Sequence, residues 1–262
     1  MPVRLLFIGD IIGKSGRQAL SASLHRIVDR FQIDLVIANG ENAAGGFGLT
    51  AETASELFSL GVHVLTSGNH IWDKKDALPL IDNDDRILRP FNYPPETAGR
   101  GWGLYETAGG VQVGVVNLEG RVFMNNLDCP FRMADEVINQ LRKTTPIILV
   151  DFHAEATSEK RALGWHLDGR VSAVIGTHTH VQTADEDILP NGTAYLTDAG
   201  MTGSFDSVIG MNREQAVRKF LTQMPVKFEV AKKDIRLNGV VVEVDEGTGR
   251  AVQIVRVAER IS

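Results

Sequence analysis

The sequence predicts an α/β protein built from two mixed β-sheets packed face to face, with helices on the outside. Two observations carry this expectation. First, five short apolar runs each lead into a polar cluster: Val3–Ile8 into Gly9-Asp10, Leu35–Ala38 into Gly40-Glu41-Asn42, Val62–Leu65 into Gly68-Asn69-His70, Ile147–Val150 into Asp151-Phe152-His153, and Val171–Ile175 into Gly176-Thr177-His178-Thr179-His180. Runs of this kind read as buried strands whose C-terminal ends open into a site. Second, the strands alternate with amphipathic stretches in some parts of the chain and with turn-linked β runs in others, which argues against a purely parallel sheet.

Taken in order, Gly16–Phe31 carries Leu20, Leu24, Ile27, Val28 and Phe31 at helical spacing, so it should return over a sheet as a helix. Thr50–Leu60 repeats the arrangement, with Thr50 as N-cap and Gly61 as the C-terminal stop. Asp73–Ile81, Met133–Arg142 and Ser158–Leu167 are further helices by the same pattern. Gly101–Thr107 and Val111–Asn117 flank Ala108-Gly109-Gly110 as a hairpin, and Gly239–Val244 and Ala251–Val257 flank Asp245–Gly249 as another. No linker rich in Pro, Ser or Gly divides the chain and no repeat of fixed period occurs, so residues 1–262 read as one domain.

Composition narrows the function classes. A formal net charge of −6 argues against general binding to a nucleic-acid backbone, which needs Lys and Arg to neutralise phosphates. A small anionic substrate fits if metal ions bring the positive charge. No apolar stretch reaches the roughly 20 residues of a membrane span, and the N-terminus opens on strand-like residues without a basic and apolar leader. The single Cys129 rules out an intrachain disulfide. A cytosolic protein is expected, with homo-oligomerisation left open.

The strand-end clusters gather carboxylate, amide and imidazole, which suit hard and borderline divalent cations. Four of the seven histidines lie in them: His70, His153, His178 and His180. Asp10 and Glu41 each close a strand expected to be central, where an unpaired charge is costly. His178 and His180, one residue apart, can turn inward together to serve neighbouring ions. Asn69 offers an amide oxygen beside His70. An imidazole left free of metal suits general acid catalysis, protonating a leaving oxygen while a metal-bound hydroxide attacks from the opposite side. His25, His63 and His166 read as structural or solvated. Gly45–Gly48 reads as a close-packed turn beside the metals. The segments 89–93 and 119–124 read as ordinary loop packing, with stacking on a base as the alternative. Met201–Met211 reads either as a flank of the site or as an interface.

The ordered series Gly-Asp, Gly-Glu-Asn, Gly-Asn-His, a lone His after a strand, and Gly-Thr-His-Thr-His resembles the calcineurin-like metallophosphoesterase superfamily. More narrowly, Gly40-Glu41-Asn42-Ala43-Ala44-Gly45-Gly46, Ser67–Asp73 and Gly176–Asp185 resemble its YmdB-like branch. The resemblance runs nearly end to end. It implies a four-layer α/β/β/α sandwich (the metallophosphatase fold), a dinuclear iron or manganese centre, and hydrolysis of small cyclic nucleotides, 2′,3′-cyclic forms above all and 3′,5′-cyclic forms as a further class. A small cyclic nucleotide or the phosphodiester at an RNA end is the expected substrate. It also implies that Glu41 bridges both ions, that Asp10, Asn42 and His180 complete one, and that Asn69, His153 and His178 complete the other. The wider superfamily opens with Asp-x-His, whereas this chain has Ile12 at the third position, a gap that Asn42 can fill as a neutral donor. The alternative functions are a phosphomonoesterase or protein phosphatase with the same centre, and a regulatory protein that binds nucleotide or RNA and keeps its metals for structure.

Overall fold

A computed structural model describes residues 2–261. Along the chain run β1 (Pro2–Ile8), β2 (Asp10–Ile11), α1 (Gly13–Phe31), β3 (Leu35–Asn39), α2 (Ala51–Ser59), β4 (Val64–Thr66), α3 (Ala77–Asn83), β5 (Trp102–Glu106) and β6 (Gln112–Glu119). They continue with α4 (Pro130–Leu141), β7 (Ile148–His153), α5 (Thr157–Leu167), β8 (Ala173–Thr177), β9 (Asp187–Ile188), β10 (Ala194–Leu196), β11 (Met201–Ser204), α6 (Arg213–Thr222), β12 (Ile235–Asp245) and β13 (Ala251–Arg260).

The strands form two sheets, one in the order β2-β11-β12-β1-β3-β4 with β13 on β12, the other in the order β5-β6-β7-β8-β10-β9. Both are mixed: β1, β3 and β4 run parallel, as do β6, β7 and β8, while β12 lies antiparallel to β1 and β5 antiparallel to β6. Because strand side chains alternate between faces, the uniformly apolar runs feed two cores at once. In β1, Leu5 and Phe7 pack between the sheets while Leu6 and Ile8 pack under helices; β3 divides in the same way, Leu35 and Ile37 inward, Val36 and Ala38 outward. In β7, Leu149 joins the inter-sheet core while Ile148, Val150 and Phe152 join a third core under α4 and α5. Helices outside, two sheets inside, and three apolar cores between the layers make a four-layer α/β/β/α sandwich.

Several boundaries differ from the sequence expectation. The five site-bearing strands divide between the sheets, β1, β3 and β4 in one and β7 and β8 in the other, and their C-terminal ends meet across the sandwich. β7 continues through Asp151, Phe152 and His153 because it is paired on both sides, by β6 and β8, so His153 stands inside the strand. α3 starts at Ala77 rather than Asp73, because the residues before it turn around His70. The N-cap is as expected: the Thr50 hydroxyl accepts from the Thr53 backbone N–H. α6 has no counterpart in the sequence expectation, although Val217, Phe220 and Leu221 stand at helical spacing; of its residues only Ala216 is buried. Among the described residues no helix is long and apolar enough to cross a membrane.

Candidate metal centre and active site

Seven donor residues from the five strand ends converge, in two linked groups. In the first, the Nε2 of buried His153 lies 3.2 Å from Glu41 Oε1, 3.2 Å from Asn69 Oδ1 and 3.1 Å from His178 Nδ1. One ring nitrogen cannot hydrogen-bond to three such partners at once, so these atoms face a common point. The tautomer follows from the layer beneath. Thr177 Oγ1 donates to Asp151 Oδ1 at 2.7 Å, so its oxygen accepts from His153 Nδ1 at 2.9 Å, and Nε2 is the nitrogen turned toward the group. Asp151 is held in turn by Thr66 Oγ1 and Asn39 Nδ2. Gly68 makes the approach possible, because a Cβ at that position would overlap the His153 ring.

The second group is Asp10, Asn42 and His180. His180 Nδ1 donates to the Ile209 carbonyl at 3.0 Å, which leaves Nε2 directed at Asn42 Nδ2, 3.4 Å away, and Asp10 Oδ1, 3.7 Å away. Asp10 Oδ1 and Asn42 Oδ1 are buried without a hydrogen-bond partner. A buried oxygen left unsatisfied is costly, and two beside a bare imidazole nitrogen fit a cation. Asn42 Nδ2 also donates to Glu41 Oε1 at 3.1 Å, so Glu41 joins the groups. His178 and His180 both have left-handed backbones, with φ of 98° and 65°. Side chains hold them there: Asp10 Oδ2 accepts the His178 N–H, and Asp198, paired with buried Lys160 at 2.6 Å, accepts the N–H of Thr179.

Electrostatics agree with this geometry. Burial pushes the Glu41 carboxyl up, but His153 beside it outweighs that and holds it at about 2. Burial pushes His178 down to about 3, and its neighbour His153 adds to the effect. Burial lowers His153 too, yet the surrounding carboxylates, Glu41 foremost, raise it to about 9. Positive charge is thus demanded at one spot among buried carboxylates, where a bound cation would displace the proton. Glu41, His153 and His178 together can hold a metal ion.

A family model described as YmdB-like protein matches residues 6–257. The chain belongs to the YmdB-like family. Its curated relatives include a 2′,3′-cyclic-nucleotide 2′-phosphodiesterase of Bacillus subtilis (strain 168), 49% identical over 255 residues, covering 97% of this chain and 96% of that one. Among solved structures, a hypothetical protein from Thermus thermophilus matches with a TM-score of 0.92 at 44% identity, over 98% of this chain and 99% of that one. A novel phosphatase of Mycoplasma pneumoniae matches with a TM-score of 0.93 at 37% identity, over 99% and 94% of the two chains.

In this YmdB-like chain His70 stands beside the donors rather than among them. Its backbone N–H donates to Glu41 Oε2 at 3.2 Å, its Nδ1 pairs with Asp73 Oδ2 at 2.8 Å, and its ring meets Phe47 edge-on. A cavity of about 430 Å³ opens over Glu41, Asn42, His70, His178 and His180. Its far wall comes from Val208, Ile209, Met211 and the α6 region, which places the Met201–Met211 segment at the site. Ile12 does not face the donors: it is buried, with its side chain against Gly203 and Gly210 in that same segment. Gly46 and Phe47 line the cavity, whereas the 89–93 and 119–124 segments do not. The remaining histidines have other partners: His63 Nδ1 accepts the Val36 N–H, His166 pairs with Asp135 and His25 with Asp29.

Sequence reasoning missed the partners of the site. Asp73 at His70, Glu155 at 3.1 Å from His178 Nε2, and the Asp151–Thr177 pair under His153 lie within or next to the quoted motifs, but nothing in their spacing assigns them. The α6 wall is legible as a helix, with Asn212 as N-cap and Val217, Phe220, Leu221 and Met224 at helical spacing, but nothing in that spacing places it at the site.

Proposed function

We propose that this protein is a dinuclear metal-dependent phosphoric diester hydrolase that opens small cyclic nucleotides, 2′,3′-cyclic ones first. The observation that carries this reading is the convergence of seven donor side chains, two of them with buried unpaired oxygens, beneath a cavity lined by four of them, Glu41, Asn42, His178 and His180, and by an imidazole anchored away from them. The name of the Bacillus subtilis relative supports the substrate class. Glu41 would bridge two ions, with Asp10, Asn42 and His180 on one and Asn69, His153 and His178 on the other. Oxygen and imidazole donors without thiolate suit hard and borderline divalent cations, and the family resemblance implies iron or manganese among them. Bound there, such ions would supply Lewis-acid charge to the phosphate oxygens and lower the pKa of a water.

The chain's own residues do the rest. Asp73 accepts from His70 Nδ1, fixing the ring so that Nε2 is the nitrogen that handles a proton at the cavity. Protonated, it delivers that proton to the 2′ oxygen as the P–O2′ bond breaks. The new oxygen on phosphorus comes from water, and the product is a 3′-monoester. Donation from His178 Nε2 to the Glu155 carboxylate, and from His180 Nδ1 to the Ile209 carbonyl, holds the two imidazoles in place. The lone Cys129, a free thiol, agrees with a cytosolic setting.

The test is a turnover panel with the manganese- or iron-loaded protein. Hydrolysis of adenosine 2′,3′-cyclic phosphate and bis-p-nitrophenyl phosphate should exceed that of p-nitrophenyl phosphate, and chelator should abolish it. Faster hydrolysis of the monoester would make the protein a phosphomonoesterase. Nucleotide binding without hydrolysis by the loaded protein would make it a regulatory binder.

A further inference from the structure

The cavity has two unlike walls. One carries the donors and His70; the other presents Ile209, Met211, Phe220 and Phe228, none with a hydrogen-bonding side chain. Phe220 is 74% exposed, an aromatic face left open at the mouth of a polar site. Within this apolar wall lies Lys219, half-buried, whose ammonium makes no hydrogen bond or ion pair with the described residues. The two carboxylates that line the cavity are engaged elsewhere, Glu41 among the donors and Glu155 with His178.

A ligand that fills such a space needs an apolar face without demanding edge contacts, and a second anion besides the one over the donors. A nucleobase supplies the face, since every base has one and stacking is tolerant of its identity. The donor side deals with the scissile phosphate, so Lys219 is left for another negative charge on the same molecule. Resting on the proposed phosphodiesterase reading, we propose that the α6 wall is a nucleotide subsite. The base lies against Phe220 and Phe228, and Lys219 pairs with a phosphate on the 5′ oxygen, so that the preferred substrate is a 2′,3′-cyclic end that carries a 5′-linked phosphate. That phosphate has two sources, a 5′-phosphorylated mononucleotide or the next linkage of an oligonucleotide.

The test compares kcat/KM of the manganese-loaded protein for adenosine 2′,3′-cyclic phosphate, its 5′-phosphorylated form, and the dinucleotide of adenosine that ends in a 2′,3′-cyclic phosphate. At least one of the last two should exceed the first by about tenfold, the size of a charge-assisted contact. The one that does identifies the source. Lys219→Met should bring the ratio close to one and Lys219→Arg should keep it, whereas Phe220→Ala should raise KM for all three and leave the ratio alone. Binding supplies a readout that needs no turnover: adenosine 3′,5′-bisphosphate should bind about tenfold more tightly than adenosine 3′-phosphate, and Lys219→Met should erase the difference. Equal kcat/KM and equal binding in the unaltered protein, or a preference that survives Lys219→Met, overturns the subsite. If no cyclic ester is hydrolysed, the phosphodiesterase reading fails by itself, and the bisphosphate comparison still decides the role of Lys219.

Discussion

The two donor groups are built on opposite principles. Around His153 every side chain is backed by another: Thr177 under the ring, Asp151 under Thr177, and Thr66 and Asn39 under Asp151, all buried. Around His180 the support is thinner. A single backbone carbonyl, from Ile209 in the segment that walls the cavity, orients the ring, and two neighbouring oxygens remain unpaired. Ile12, two residues after Asp10, brings no donor to this second group and packs beneath that segment instead. One donor group is therefore fixed by the rigid sandwich, while the other is tied to the segment that walls the cavity; in the proposed two-ion reading each group would hold one ion. Preorganised support of this kind raises ligand affinity, so the first position should bind its ion more tightly.

Substitution of the residue shared by both groups should do the most damage. Glu41→Ala removes the junction and should lower kcat by about a thousandfold or more, with metal content falling at both positions, as measured by elemental analysis of the purified protein. Next in size, His70→Ala should lower kcat by roughly a hundred- to ten-thousandfold with metal content unchanged. Loss of metal equal to that in Glu41→Ala would contradict the role of proton donor. Asp73→Asn, which leaves the ring but alters its anchor, should cost less than His70→Ala and act on kcat rather than KM.

A smaller change separates the groups. Thr177→Val keeps the shape of the side chain but deletes the oxygen that sets the His153 tautomer. It should weaken metal binding at that position by roughly tenfold to a hundredfold, read by metal titration, while the position at Asp10 and His180 keeps its affinity. Equal weakening of the two sites would mean that they are not independently supported.

The same asymmetry divides what the sequence makes legible from what it does not. Asp10, Glu41, Asn69, His178 and His180 follow apolar runs that end near glycine, and a strand that stops at a site leaves that trace whatever the tertiary structure. The support under His153 leaves none, because Thr66, Asp151 and Thr177 come from three strands in two different sheets and meet only when the sandwich closes. The start of α3 differs from expectation for a related reason: Asp73 has the look of a first-turn residue, but its carboxylate is engaged with His70. For α6 the pattern is legible and its place is not: Val217, Phe220 and Leu221, with Met224 just beyond it, keep helical spacing yet are exposed, so the stripe marks a helix without marking the cavity it borders. Ile12 is the instructive case, since its departure from the superfamily pattern is visible in the sequence while its job under Gly203 and Gly210 is not.

A further buried carboxylate isolates the role of neighbouring charge. Glu119 ends β6 directly beside His153 in the sheet register, and is buried like Glu41. Glu41 is held at about 2 by the imidazole against it, whereas burial, only partly offset by His153, pushes Glu119 up to about 7, and its Oε2 has no partner. A carboxyl whose folded pKa lies above its ordinary value near 4.5 binds a proton on folding, so stability falls as pH rises from about 4.5 to about 7 and stays reduced above that. At 1.36 kcal/mol per pKa unit the loss is about 3 kcal/mol. Glu119→Gln carries no charge to bury. In chelator, its urea midpoint should therefore match that of the unaltered protein near pH 5 and exceed it at pH 8. A difference that stays the same at both pH values would show that Glu119 takes up no proton on folding, and that the contrast with Glu41 is not one of charge.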